Sequence, residues 1–446
     1  MRVVIDGFSM TIHGGTGIAT YGRNLASALT HLGHEIGVLT GKDLRVPRQA
    51  VLDEVLLYDN EVRERRQGRL GRYADTLLGG TRQARQVQLL GNVIPPTTGA
   101  NRLPRDAAVY NVPRLFRAAR HRYELLRRPV TVRMDPTPDV VHWTIPLPIR
   151  VEGARNVYTI HDLIPLKLPY TTLDRKASYY ALTKWVADTA DLICTVSDTT
   201  REDVLAILGP DERKVVTTYQ AVDVGEQAGV PDEEVAAYLA ERYKLKHRGY
   251  FLFYGAIEPK KNVSRLLEAF MGGRFDDDLV VVSSSGWLHE PELALLRDLR
   301  VGGDVGAPAG GKDGGGAGPR RMAARKNLRH FQYASWNELV MLIRGARAVV
   351  FPSLYEGFGL PILEGMMCGT PVLTSDSGAM REIAGDAALL VDPVDANAIR
   401  AGMERLTSDA ALWSRLRERG LRRAPMFSQE TYAERLGAAY ARLPGA

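Results

Sequence analysis

The chain has 446 residues, 45% of them apolar and 25% charged, with a net charge of +6 and two cysteines. That length exceeds what one hydrophobic core usually supports, so two domains of about 200 residues each are expected, in an ordinary globular composition. Cys194 and Cys368 are too few and too isolated for a disulfide framework or a zinc site, and no apolar run approaches the ~18 residues of a membrane span.

The N-terminus, MRVVIDGFSM, opens directly as a strand and has neither the long apolar run nor the cleavage site of a signal peptide. A reducing cytoplasm is the expected compartment. Apolar runs then alternate with helical patterns, the signature of parallel α/β domains. In the first half the predicted strands are Val3–Ile5, Glu35–Leu39, Val140–Trp143, Val157–Ile160, Leu192–Val196 and Val215–Thr218. In the second half they are Phe251–Tyr254, Leu279–Ser283, Leu328–Phe331, Ala348–Phe351, Pro371–Thr374 and Ala388–Val391. The expected fold class is α/β, two Rossmann-like domains in series. The first runs over 1–222, a connector with a helix at Asp232–Tyr243 over 223–248, and the second over 249–428. A closing segment, 429–446, holds an amphipathic helix expected to pack across both domains.

Two segments interrupt this rhythm. Lys42–Arg133 reads as a long insertion with helices near Val112–Arg128. Residues 41–135 carry 18 Arg and one Lys against ten Asp and Glu, an excess that surpasses the net charge of the whole chain. The remainder is slightly acidic, which argues against a generic nucleic-acid binder. A local arginine-rich face suits anionic lipid headgroups or a phosphorylated acceptor, or is simply a solvated helical face. Gly302–Arg321 is glycine-dense enough to be a mobile loop, dispensable for the fold.

The chemistry concentrates in four places. In HGGTGIATYGRNL (His13–Leu25), Gly14, Gly15 and Gly17 permit a backbone cradle under a phosphate. Thr20 stands where the third glycine of the dinucleotide fingerprint would be. VYTIHDLIPL (Val157–Leu166) ends a strand with His161 and Asp162. His161 is placed to donate a hydrogen bond to a sugar hydroxyl, to orient an acceptor, or to serve the fold; Asp162 either holds the imidazole or caps the turn. TVSDTTREDVL (Thr195–Leu205) has Thr200 and Asp203 at capping-box spacing and reads as structural. YGAIEPKKNVSRLLEAF (Tyr254–Phe270) is a strand, a turn bearing Lys260 and Lys261, and a helix capped by Asn262. Those lysines lie at the carboxyl end of a parallel strand, where open α/β sheets bind ligands, and can neutralise a diphosphate leaving group.

LYEGFGLPILEGMMCGTPVLTSD (Leu354–Asp376) sets Glu356 and Glu364 around a Gly-x-Gly turn. Pro361 fits the first position of a helix, where its missing N–H costs nothing. The amides of Ile362 and Leu363, with those of Phe358, Gly359 and Leu360, are expected to face outward unpaired, a site for anions or hydroxyls. Glu364 leans back toward that end of the helix, and a carboxylate facing paired hydroxyls is suited to grip a ribose. A ligand with polyhydroxyl groups at both ends of an anionic middle fits the pattern: a sugar nucleotide.

Together these motifs resemble the family 4 retaining glycosyltransferases, of GT-B architecture with an interdomain cleft. The resemblance spans nearly the whole chain apart from Lys42–Arg133 and Gly302–Arg321. It rests on Gly14–Gly17, HDLIPL, TVSDTTREDVL, EPKKN and Pro352–Gly385, where the Glu-x7-Glu element is its most specific part. It implies that Glu364 accepts from the ribose, and that Glu356 and the amides of Phe358, Gly359 and Leu360 hold the donor sugar. It further implies that Lys261, with Lys260 and the amide of Gly15, stabilises the pyrophosphate, and that His161 lies beside the reacting sugar. The implied catalytic residues are thus His161, Lys261 and Glu356, with no metal and no cofactor beyond the sugar-nucleotide substrate. The chain departs from the family at Lys260, where arginine is frequent, and at Gly365, where alanine is. HDLIPL with EPKKN is most similar to the mannosyltransferase branch of bacterial surface-polysaccharide assembly. This implies a GDP-mannose or related GDP-hexose donor, a glycan or lipid-linked acceptor, and a cytoplasmic enzyme, peripheral on an anionic membrane. The alternatives are a sugar-nucleotide 2-epimerase on the same fold and a non-catalytic membrane-assembly adaptor; a pyridoxal phosphate phosphorylase lacks a recognisable cofactor lysine.

Overall fold

The computed structural model describes residues 1–8, 17–44, 50–59, 79–94, 103–104, 107–283 and 327–444. Gly14, Gly15 and the segment Gly302–Arg321 lie outside these residues. The chain divides into two compact units: Met1–Lys167 with Asp174–Val222 and Met426–Ala446, and Leu168–Leu173 with Asp223–Pro425.

In the first unit the strands in chain order are β1 (Arg2–Asp6), β2 (Glu35–Thr40), β3 (Thr81–Gln83), β4 (Arg85–Val87), β5 (Ala108–Asn111), β6 (Val130–Arg133), β7 (Val140–Trp143), β8 (Ile149–Val151), β9 (Arg155–Ile160), β10 (Leu192–Thr195) and β11 (Val215–Thr217). Eight of them form one sheet in the order β11-β10-β9-β7-β1-β2-β5-β4, parallel except for the β4–β5 pair. Central strands such as Val140–Trp143 and Leu192–Thr195 are buried at every position. Helices cover both faces of such sheets, and that is why these strands read as unbroken apolar runs. β3, β6 and β8 make a separate three-stranded parallel sheet.

The stretch Lys42–Arg133, expected to be an insertion into the domain, is in part the domain itself. β5 extends the main sheet with Val109 opposite Val38 and Tyr110 opposite Leu39. The helix expected near Val112–Arg128 spans Leu115–Leu126 and buries Leu115, Ala119 and Tyr123. The four-residue β5 is too short to stand out in the sequence and takes its place from pairing with β2.

The closing helix Gln429–Tyr440, expected to span both domains, counts with the first unit. Gln429 Nε2 donates to the Asn24 carbonyl at 2.7 Å, the Tyr432 ring meets Tyr21 edge-on at 6.2 Å, and the Tyr440 hydroxyl lies 2.7 Å from Nδ1 of buried His142. These contacts fix it against the helix Gly17–His31 and the strand beneath.

The second unit has β12 (Tyr250–Tyr254), β13 (Asp278–Val282), β14 (Leu328–Phe331), β15 (Ala348–Phe351), β16 (Val372–Ser375) and β17 (Leu389–Val391). They form one parallel sheet in the order β14-β13-β12-β15-β16-β17. β12 is buried throughout, and Leu252 lies opposite Val280 on one side and Val349 on the other. Gly365 lets the helix Leu360–Met367 settle onto this sheet. A Cβ there would stand 2.8 Å from Val372 Cγ2, so this departure from the family pattern is a packing requirement.

Candidate active site

In the second unit the chain passes from β12 outward to β13 and β14, then returns to place β15 on the other side of β12. The strand order reverses there, and the crevice beyond the carboxyl ends of two such strands is where open α/β sheets take ligands. Two loops meet at that point. The one after β12 carries Glu258 and the short 3-10 turn Pro259–Lys261; the one after β15 carries Glu356 and leads through Gly359 into the helix Leu360–Met367. They are tied together by the Leu354 amide, which donates to the Lys260 carbonyl at 2.7 Å.

Asn262 reinforces the tie in a way the sequence did not disclose. It stands at the start of the helix Val263–Gly272 with φ 60°, yet its side chain caps nothing. Its amide nitrogen donates to the carbonyls of Pro352 at 3.0 Å and Pro393 at 2.7 Å, which follow β15 and β17. One side chain in a left-handed conformation therefore gathers three loops at the carboxyl edge, a conformation asparagine tolerates better than most residues.

The predicted lysines and glutamates come together. Lys261 Nζ lies 2.6 Å from Oε1 of Glu356, and Lys260 Nζ lies 3.6 Å from Oε2 of Glu356 and 3.7 Å from Glu258. Lys261 Nζ also stands 4.7 Å from the centroid of the Phe351 ring. Burial pushes the Glu356 carboxyl up, but Lys260 and Lys261 outweigh it and hold the group below the usual glutamate range. Glu258, with burial dominant over the same lysines, is raised. The result is a compact set of two ammonium and two carboxylate groups, ready to exchange an internal partner for an arriving anion.

Glu364 sits one turn into its helix, 8% exposed, and its Oε2 accepts a hydrogen bond of 2.6 Å from the Tyr254 hydroxyl. Burial raises its carboxyl to about 7, with Tyr254 and Lys261 opposing the rise. Gly359, at φ 102°, adopts a conformation that favours glycine, and a Cβ there would meet Ile362 Cδ1 at 2.9 Å. Leu360 opens the helix, with Pro361 in its first turn and Phe358 buried just before it. The Ile362 amide, expected to face outward unpaired, instead donates to the Gly359 carbonyl at 3.0 Å, because the chain closes a tight turn there before the α-helical pattern begins.

The first unit has its own reversal, between β1 and β7. Asp6 ends β1, fully buried, and accepts from the Phe8 amide at 3.1 Å and from the Thr144 amide. His161 follows β9, with Nε2 2.9 Å from the Thr144 carbonyl and its ring 4.8 Å from that of Tyr21, edge to face. A carbonyl only accepts, so Nε2 carries the proton. Burial lowers the His161 pKa, and the neutral ring then has Nδ1 as an acceptor. Of the roles open to His161, donation through Nε2 is taken up by the Thr144 carbonyl, and Nδ1 is the acceptor side of the ring.

Asp162 does not hold the imidazole; its Oδ1 accepts from the Ile164 amide at 3.0 Å, closing the turn. Ser197, and not Thr200, caps the helix Asp198–Leu208 by accepting from the Thr200 amide at 3.0 Å. Thr200 Oγ1 donates to the His161 carbonyl at 3.1 Å, and Asp203 pairs with Lys167 at 2.6 Å. TVSDTTREDVL thus buttresses the histidine loop. Gly15 lies outside the described residues. Among those residues no helix is long and apolar enough to cross a membrane.

Comparison with known proteins agrees with this fold. A family model described as Glycosyltransferase Family 4 matches residues 15–226, and one described as Glycosyl transferases group 1 matches residues 321–423. O-antigen chain mannosyltransferase B of Escherichia coli is 32% identical over 290 residues, 64% of this chain and 69% of that protein. The serotype-specific mannosyltransferase WbdA of Escherichia coli is 27% identical over 292 residues, 64% of this chain but 33% of its own greater length. Among solved structures, sucrose-phosphate synthase from Thermosynechococcus elongatus superposes with a TM-score of 0.64 at 16% identity, covering 99% of both chains.

Proposed function

This chain belongs to the family 4 glycosyltransferases, and from that premise we propose that it moves a mannosyl or related hexosyl residue from a GDP-sugar to a glycan or lipid-linked glycan acceptor, with retained anomeric configuration, in surface-polysaccharide assembly. The observation that carries the reading is the convergence of Lys260, Lys261, Glu356 and Glu364 at the strand reversal of the second unit. The likeness to an O-antigen chain mannosyltransferase and a serotype-specific mannosyltransferase supports the choice of sugar and of pathway.

Lys261, with Lys260, stabilises the negative charge that grows on the departing diphosphate. Ammonium groups fixed in a partly buried site do this better than water, which must reorient. As the diphosphate takes the lysines, Glu356 is released toward the hydroxyls of the donor sugar. Glu364 accepts from the ribose, and His161 accepts from a sugar hydroxyl through Nδ1. The acceptor hydroxyl attacks from the face the diphosphate leaves and passes its proton to the departing diphosphate as the sugar–phosphate bond breaks, without a covalent sugar–enzyme intermediate and without a metal. The arginine excess of 42–133 supports contact with an anionic lipid surface.

The test is incubation with GDP-mannose and a lipid-linked oligosaccharide in excess chelator, following GDP release and the anomeric configuration of the product by NMR. Chelator-insensitive transfer with retention is expected. An epimerised sugar nucleotide formed without acceptor would instead identify the epimerase.

A further inference from the structure

Glu364 is the residue through which the ribose is read, and its surroundings hold a partner that neither the sequence motifs nor the family resemblance singles out. Tyr254 is the last residue of β12, on the opposite side of the strand reversal, and is buried at 6% exposure. Its hydroxyl lies 2.6 Å from Oε2 of Glu364 and 3.4 Å from the Pro361 carbonyl, so it meets both the carboxylate and the first turn of the helix that carries it. Among the described residues it is the hydrogen-bond donor to that carboxylate.

A buried carboxylate without a donor protonates, and a protonated carboxyl offers a diol one fewer acceptor and a competing donor. The phenol resists ionisation here because burial and the adjacent carboxylate push its own pKa well up, so it remains a donor. The groups acting on Glu364 are Tyr254 from β12 and Lys261 from the turn after it; Cys368, just past the end of the helix, has its thiol pushed up to about 12 by burial and by the Glu364 charge. Lys261 is engaged 2.6 Å from Glu356, which leaves Tyr254 as the close neutral donor.

We propose that Tyr254 is a positioning residue for the nucleotide: it holds Oε2 of Glu364, fixes the side-chain rotamer, and favours the ionised carboxylate over the protonated one, with Oε1 available to the ribose hydroxyls. The proposal rests on the donor-site reading of Glu364. Donor binding then needs the ionised carboxylate and weakens as the pH falls through the titration of Glu364.

The experiment is calorimetric titration of GDP-mannose into the full chain and its Tyr254→Phe, Glu364→Gln and doubly substituted variants between pH 5.5 and 8.5, with steady-state kinetics alongside. Tyr254→Phe is expected to raise Kd and KM roughly tenfold at pH 7, the weight of a hydrogen bond to a charged group, with kcat at saturating donor little changed. The acid limb of its binding profile should move to higher pH. In the Glu364→Gln background the same substitution should have no further effect and no pH limb. A purely structural tyrosine would lower Tm and leave the limb in place. If the wild type binds GDP-mannose and Tyr254→Phe matches it in Kd and in the limb, this proposal alone falls. If the wild type binds no nucleoside diphosphate sugar at any pH, the donor-site reading falls and takes the proposal with it.

Discussion

Lys261 and Glu356 form an ion pair at 2.6 Å in which both side chains are largely withdrawn from water, 16% and 9% exposed. Such a pair is a poor source of net stability but costly to break, because the surviving charge remains buried. The proposed leaving-group role of Lys261 is therefore tied to the folding of the second unit.

Lys261→Ala should lower kcat by about 10²–10³, the effect of removing one fixed donor to a growing charge, with a smaller change in KM. It should also cost roughly 3 kcal/mol of stability, since Glu356 keeps only the more distant Lys260. Wild-type turnover in this variant would remove the lysine from the leaving-group role. Because the Glu356 carboxyl is held below its ordinary value, the pair's contribution is present above pH 4.5 and is lost as pH falls through the lower folded value. Denaturation between pH 3 and 6 should show that loss in the wild type and much less of it in the variant.

Glu364 works against the fold it serves. Its carboxyl ionises near 4.5 when unfolded and near 7 in place, so the native state keeps a proton the unfolded chain has given up. Stability from this group is present below pH 4.5 and falls away as pH rises through 7, by an amount on the order of 3 kcal/mol. Glu364→Gln should flatten that dependence and raise Tm at pH 8 while weakening nucleotide binding, as expected where function retains an unfavourable buried group. A Tm at pH 8 below that of the wild type would contradict the account.

Gly365→Ala should destabilise the second unit by about 1–2 kcal/mol despite the better helix propensity of alanine, because the added methyl overlaps Val372. Val372→Ala in the same chain should recover much of the loss, measured by urea denaturation.

In the first unit, Tyr440→Phe removes the hydroxyl that faces Nδ1 of His142, a ring buried completely and held neutral by burial, with a pKa lowered to about 3. An unsatisfied buried nitrogen costs about 1–3 kcal/mol, so the variant should unfold at lower urea with little change in donor affinity.

The sheet strands were legible because parallel strands buried on both faces must be apolar at nearly every position, as Phe251–Tyr254 and Leu192–Thr195 are. β5 was hidden because Ala108–Asn111 is short and takes its place from pairing with β2. In the candidate site, glycine, proline and charge spacing pointed to Lys260, Lys261, Glu356 and Glu364, since each lies in the loop after a strand or in the helix that loop leads into. What spacing could not show is contact across sequence: Tyr254 bonded to a residue 110 positions away, and Asn262 bound to loops 90 and 131 positions away. Nor does a strand-end histidine disclose which nitrogen its neighbours claim, and for His161 that detail decides whether it gives or accepts a hydrogen bond.

Whether Glu364 grips the ribose of a nucleotide sugar is decided by titration of GDP-mannose against its 2′- and 3′-deoxyribose analogues at pH 8. The wild type should bind the parent compound at least about tenfold more tightly than either analogue, and Glu364→Ala should bind all three alike and weakly. Equal affinity of the wild type for parent and analogues, or undiminished binding by Glu364→Ala, would contradict it.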